Sequence, residues 1–142
     1  MSAIEQYNAI VKKFQEHYTQ TFEGRSIVYI QRKIKLYNPR EIRGFFNGEC
    51  RSKLRTFCRI MQTTGLIFAF VNKFSQRCEL LTFDPDQIYA FMKQVRSKKF
   101  MRSKLRVSTN MCKRDNCTVF TMVRAFDELG FYVKLGTYSH GE

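Results

Sequence analysis

Four glycines punctuate this chain in one way. Gly24, Gly48, Gly65 and Gly130 each close a stretch in which apolar residues recur every three or four positions. That spacing lines one side of a helix. A glycine just past the last apolar residue stops a helix, because it enters the left-handed backbone region at no steric cost. The segments after two of these glycines narrow the fold class. LIFAFVN (66–72) after Gly65 and FYVKLGTY (131–138) after Gly130 read as strands. Short helices feeding strands, with a hairpin between, make the expected class α+β. At 142 residues the expectation is one compact domain, with 1–90 and 91–142 as possible sub-units.

The helical stretches can be placed one by one. Ile4, Tyr7, Val11, Phe14 and Tyr18 share one face, and Ser2 with Glu5 has the spacing of a capping box. Residues 27–37 alternate as a strand would, with Val28, Ile30, Ile34 and Leu36 on one side and Gln31, Lys33 and Lys35 on the other. Asn38-Pro39-Arg40-Glu41 starts a short helix carrying Ile42, Phe45 and Phe46. A second helix is expected from about Cys50 to Thr64, with Leu54, Phe57, Cys58 and Met61 inward. Arg51, Arg55 and Arg59, each four apart, form a stripe beside that apolar face. Residues 66–72 and 77–83 form a hairpin around a turn near Lys73–Gln76. Asp84-Pro85-Asp86-Gln87 then repeats the helix-start chemistry, and Ile88, Phe91, Met92 and Val95 face inward. Residues 96–106 are expected as an ordered, partly extended connector. A last helix runs from about Asp115 to Leu129, with Val119, Met122, Val123 and Phe126 on one side.

Charge separates the segments more sharply than hydropathy does. Lys and Arg number 25 against 12 Asp and Glu, for a net charge of +13. Residues 25–60 hold ten cations and 91–114 hold nine, the latter with no acid at all. Surfaces that only need solubility mix the two signs. Segregation on this scale attracts polyanions. Disorder is not the explanation, because hydrophobic residues make up 44% and aromatics 15%. Most of the 14 Phe, with no Trp, fall at helix and strand spacings and read as core. The partners such a charge favours are nucleic acid, an acidic protein or an anionic membrane surface. No apolar run approaches the roughly 20 residues of a membrane helix, and no membrane partner is expected.

The order from Pro39 to Phe83 is short helix, tight turn, basic helix, glycine, strand, turn, strand. It resembles a winged helix-turn-helix module, with the strand at 27–37 as a possible extra sheet member. The N-terminal helix would precede it and a helix-helix-strand extension would come after it. The resemblance implies that the second helix lies in a major groove, with Arg51, Lys53, Arg55 and Arg59 facing the duplex. Lys73 and Arg77 would sit on the wing, and Lys33 and Lys35 would add a basic strand face. Such modules also serve as protein–protein scaffolds. The run from 93 to 106 supplies Lys93, Arg96, Lys98, Lys99, Arg102, Lys104 and Arg106, and Lys113 with Arg114 lies beyond it. Each phosphate these neutralise steepens the salt dependence by about 0.9 log units per log of salt. Phe100, between cations, suits either burial or stacking on a base.

Two internal echoes compete. Residues 57–67 lie over 122–132, with Arg59 over Arg124 and Gly65 over Gly130, as two related winged-helix-like units would. Ordinary helix-stop chemistry gives the same picture. The string RSKLR also occurs at 51–55 and 102–106, at an offset that disagrees with the first, so at least one echo is chance.

Chemistry has few candidates. The cysteines are Cys50, Cys58, Cys78, Cys112 and Cys117. An odd count without a signal peptide suits free thiols in a reducing, intracellular compartment. Cys112 and Cys117, with His140 beyond, lack the spacing of common zinc sites, so no metal and no cofactor is expected. His17 and His140 are the sole imidazoles, and there is no HExxH, GxSxG or Walker loop. Glu79, Asp84 and Asp86 are the nearest thing to a nuclease cluster. The expectation is a non-enzymatic nucleic-acid-binding protein, with DNA favoured over RNA, in transcription, replication or nucleoid regulation. The alternatives are a basic protein docked on a polymerase or another acidic enzyme, and an RNA-bound structural component.

Overall fold

The computed structural model describes residues 2–26, Tyr29, Arg32, 53–99 and 117–137. Among them run four helices and three strands: α1 (Ala3–Phe22), α2 (Leu54–Thr64), β1 (Leu66–Asn72), β2 (Cys78–Thr82), α3 (Pro85–Lys99), α4 (Val119–Glu128) and β3 (Phe131–Thr137). The chain is α+β. One antiparallel sheet has the order β2-β1-β3.

Local chemistry sets most of the boundaries. Ser2 Oγ accepts the Glu5 N–H at 3.2 Å, and its hydroxyl donates to the Glu5 carboxylate at 3.0 Å, so α1 begins with a reciprocal pair of bonds between its cap and its first turn. Thr118 Oγ1 accepts the Thr121 N–H at the start of α4. Asp84 Oδ1 accepts the Asp86 N–H at the start of α3. Gln87, three residues after Asp84, bonds Thr82 Oγ1 instead of closing a capping box. Gly65 and Gly130 take φ of 75° and 90°, the left-handed region, which reverses the chain from helix into strand within one residue. In the hairpin turn, Asn72 Oδ1 accepts the N–H groups of Phe74 and Ser75.

Leu66, Phe68 and Phe70 of β1 and Phe131, Val133 and Leu135 of β3 are buried on one face. Every second residue being buried is the period-two signature of a sheet covered on one side. A run of aromatic contacts links the layers. Phe14 lies 4.8 Å from Phe57, Phe57 lies 5.5 Å from Phe68, and Phe70 lies 4.6 Å from Phe126. α1, α2, β1 and α4 therefore share one core. Each fully buried Phe contributes about 1.5–3 kcal/mol of transfer free energy.

Three expectations change. Of the strand expected at 27–37 only Tyr29 and Arg32 are described, and both are helical rather than extended, with Ser26 Oγ accepting the Tyr29 N–H at 3.1 Å; the rest of that stretch lies outside the described residues. Among the described residues the third member of the sheet is β3. Residues 96–99 extend α3 instead of opening an extended connector. Nothing between Pro85 and Lys99 breaks a helix, and Lys, Arg and Gln propagate one well. The short helix expected at 39–48 and the rest of the run 100–116 lie outside the described residues.

Candidate nucleic-acid interface

α2 is enclosed on most of its circumference. Leu54, Phe57, Cys58, Ile60, Met61 and Thr64 are all buried, against α1, β1 and α4. Among the described side chains of α2, Thr56 is half-buried and Arg55, Arg59 and Gln62 are exposed. The spacing of four and three keeps them on one line. Lys53, exposed, occupies the N-cap position in extended backbone and offers no side-chain cap. The strip opens onto the start of α3. Arg55, Cys58, Arg59, Gln62, Pro85 and Asp86 line a shallow depression of about 230 Å³.

Cys58 forms its floor. Burial first, and then the carboxylate of Asp84, push this thiol well above its ordinary range. It stays a neutral, packed thiol, since the thiolate is the nucleophile. The carboxylates nearest in sequence to a nuclease cluster have separate duties. Glu79 accepts from Asn72 Nδ2 at 2.8 Å, and Asp84 caps α3. Among the described residues no group of three His, Cys, Asp or Glu is placed to hold a metal ion. Cys117 is buried at the start of α4, and Cys112 lies outside the described residues. His17 is bonded through Nε2 to the Thr64 carbonyl, which ties α1 to the end of α2.

The other expected contact residues divide into groups. Arg77 is exposed beside the hairpin turn, and Lys93 is exposed on α3. Arg96, Lys98 and Lys99 belong to the last turns of α3. Lys73 is committed elsewhere: its ammonium pairs with Asp127 at 2.5 Å and lies 5.1 Å from the centre of the Tyr132 ring. Lys33, Lys35, Arg51, Arg102, Lys104, Arg106, Lys113 and Arg114 lie outside the described residues. Gln62 escapes a reading based on charge, although it stands three residues beyond Arg59 and seven beyond Arg55, the spacing that puts the arginines in line.

Intramolecular pairing cannot neutralise this protein. With 25 cations and 12 carboxylates, one-to-one pairing of every acid still leaves thirteen positive charges. Among the described residues no helix is long and apolar enough to cross a membrane. No known protein family, curated protein or solved structure matches the chain.

Proposed function

We propose that the chain binds nucleic acid, duplex DNA in preference to RNA, with α2 laid against it. One observation carries the reading. The strip of α2 that reaches solvent is the strip that holds Arg55 and Arg59, above an open depression. Guanidinium groups suit this task, because they pair with phosphate oxygens in a two-pronged way and do the same with guanine edges. In the winged-helix form of this reading, α2 enters the major groove and the β1–β2 hairpin lies over flanking backbone, with Arg77 as its contact. The cations between 93 and 106 add phosphate neutralisation. The setting this suits is regulation of transcription or replication, without catalysis.

The test is a titration of duplex DNA, single-stranded DNA and structured RNA probes over a salt series. Duplex affinity should fall linearly in log–log form, by about 0.9 log units per phosphate neutralised. Reversing Arg55 and Arg59 to Glu should weaken duplex binding at least tenfold and flatten the slope by about two units, with the circular dichroism unchanged. Unchanged affinity in that variant would move the contact off α2. No affinity for any polyanion at low salt would leave the charge to the alternative, an acidic protein surface.

A further inference from the structure

The echo of 57–67 in 122–132 has an offset of 65 residues, and the structure extends it well past those limits. Lys53, at the start of α2, corresponds to Thr118, which caps α4. Leu54–Thr64 corresponds to 119–129, which is α4 and its C-cap. Gly65 corresponds to Gly130, both left-handed. β1 corresponds to β3 residue for residue. Among the described side chains nine positions of each segment are buried, and they are the same nine. Sequence identity is low by comparison: Thr56 with Thr121, Arg59 with Arg124, and Gly65 with Gly130.

The pairing obeys a two-fold rotation. In the β1–β3 ladder Ala69 faces Lys134, its own counterpart. Ile67 faces Gly136 and Val71 faces Tyr132, so the flanking pairs are exchanged by the same half-turn. Away from the sheet, Lys53 forms a bridge with Thr118, again its counterpart. Two antiparallel strands can pair in many registers, and one of them sets counterparts opposite. A second meeting of counterparts at the helix starts is independent of the first. The two points define one axis.

We infer that residues 53–72 and 118–137 are two copies of one helix–glycine–strand unit, fused in a single chain as an internal dimer, and that the copies have divided two tasks. The second copy seats α1. At the position of Arg55 it has Phe120, which meets Tyr7 edge-on at 5.5 Å. At the position of Gln62 it has Asp127, which accepts from Gln6 at 2.9 Å. The first copy keeps the equivalent surface as the open depression. Segment 53–72 contains Lys53, Arg55 and Arg59 and no Asp or Glu, whereas segment 118–137 sets Asp127 and Glu128 against Arg124 and Lys134. The ligand therefore meets one copy, and this division of tasks rests on the nucleic-acid reading.

The duplication is tested by exchange across the axis. Leu54→Val alone removes volume beside the axis, and pairing it with Val119→Leu returns that volume at the counterpart. The double variant should recover most of the melting temperature lost by Leu54→Val. A larger chain swaps six buried counterpart pairs reciprocally, at 54/119, 57/122, 61/126, 66/131, 68/133 and 70/135. It should keep one sigmoidal urea transition, and a control with the same twelve residues shuffled without regard to the axis should not. No recovery in the double variant, or a reciprocal chain no more cooperative than its control, overturns the duplication. For the division of tasks, Arg59→Gln should lower duplex affinity at least threefold and flatten the salt slope by about one unit, while Arg124→Gln stays within twofold. Equal losses overturn the division. An unaltered chain that binds no polyanion sinks the nucleic-acid reading, and the exchange still decides the duplication.

Discussion

Gln6 is buried under α1 with both ends of its amide in use. Oε1 accepts the Val133 N–H at 3.1 Å, and Nε2 donates to Asp127 Oδ1 at 2.9 Å. The same carboxylate receives Lys73 from the hairpin turn. One side chain thus fastens a helix to the outer strand, β3, and to the end of α4. Gln6→Leu keeps the size and removes both bonds. It should lower the unfolding free energy by about 1–3 kcal/mol, because the buried Val133 N–H is left unpaired. Urea unfolding at neutral pH checks this. Tyr18 supplies a pH signature. Burial pushes its phenol up from an ordinary value near 10 to about 12. Below pH 10 both folded and unfolded forms are neutral and the contribution is fully present. Above it the unfolded chain ionises first, so stability is lost as pH rises through about 12. The stability of Tyr18→Phe should fall less steeply between those limits, whatever its value at neutral pH. Of these two residues, the sequence revealed that Tyr18 belongs to an apolar stripe. It did not reveal Gln6, because a polar residue between apolar ones is as often solvent-facing as bonded within a core.

At the scale of single elements, the stops at Gly65 and Gly130 and the caps at Ser2 and Asp84 were legible because the chemistry is local. A residue that must adopt positive φ announces itself by lacking a Cβ. Gly65→Ala should cost about 1–2 kcal/mol, since alanine at φ of 75° carries the left-handed penalty. A melting comparison with Ala69→Gly, in regular extended backbone, separates this penalty from general disturbance. A loss below about 0.5 kcal/mol would mean that the helix end relaxes. Tyr29 and Arg32 show where local reading fails. Ile27, Ile30, Ile34 and Tyr37 support one period, while Val28, Ile30, Ile34 and Leu36 support the other. Two patterns superposed in one sequence do not choose between themselves, and the helical backbone at Tyr29 and Arg32 goes with the Ser26 bond to the Tyr29 N–H. The basic stripe of α2 was likewise readable from a spacing of four. Its enclosure on the other sides was not, because that depends on α1, β1 and α4 arriving from elsewhere in the chain.

Across the whole molecule, β1 comes from the first part of the chain and β3 from the last, and they pair over seven residues. This pairing joins the possible sub-units 1–90 and 91–142 in one sheet. Phe70, packed against Phe126 at 4.6 Å, lies on that seam. Phe70→Ala should destabilise by about 3–5 kcal/mol. Far-ultraviolet circular dichroism and tyrosine fluorescence should shift together, because a shared core unfolds as one unit. Two separated transitions would show the halves to be independent. The sequence by itself determined the class, the helix stops at Gly65 and Gly130, the strands that follow them and the excess of positive charge. Each arises from steric or electrostatic preferences that act within a few residues, or from composition. The tertiary structure alone decided that β3 pairs with β1 in the register that sets Ala69 opposite Lys134. It also decided that α1 lies over Phe120 and Asp127 of the second copy while Arg55 and Gln62, their counterparts in the first, stay exposed, and that Lys73 pairs with Asp127. These are contests between distant surfaces for the same partners, and their outcome depends on shape and burial that no local window contains.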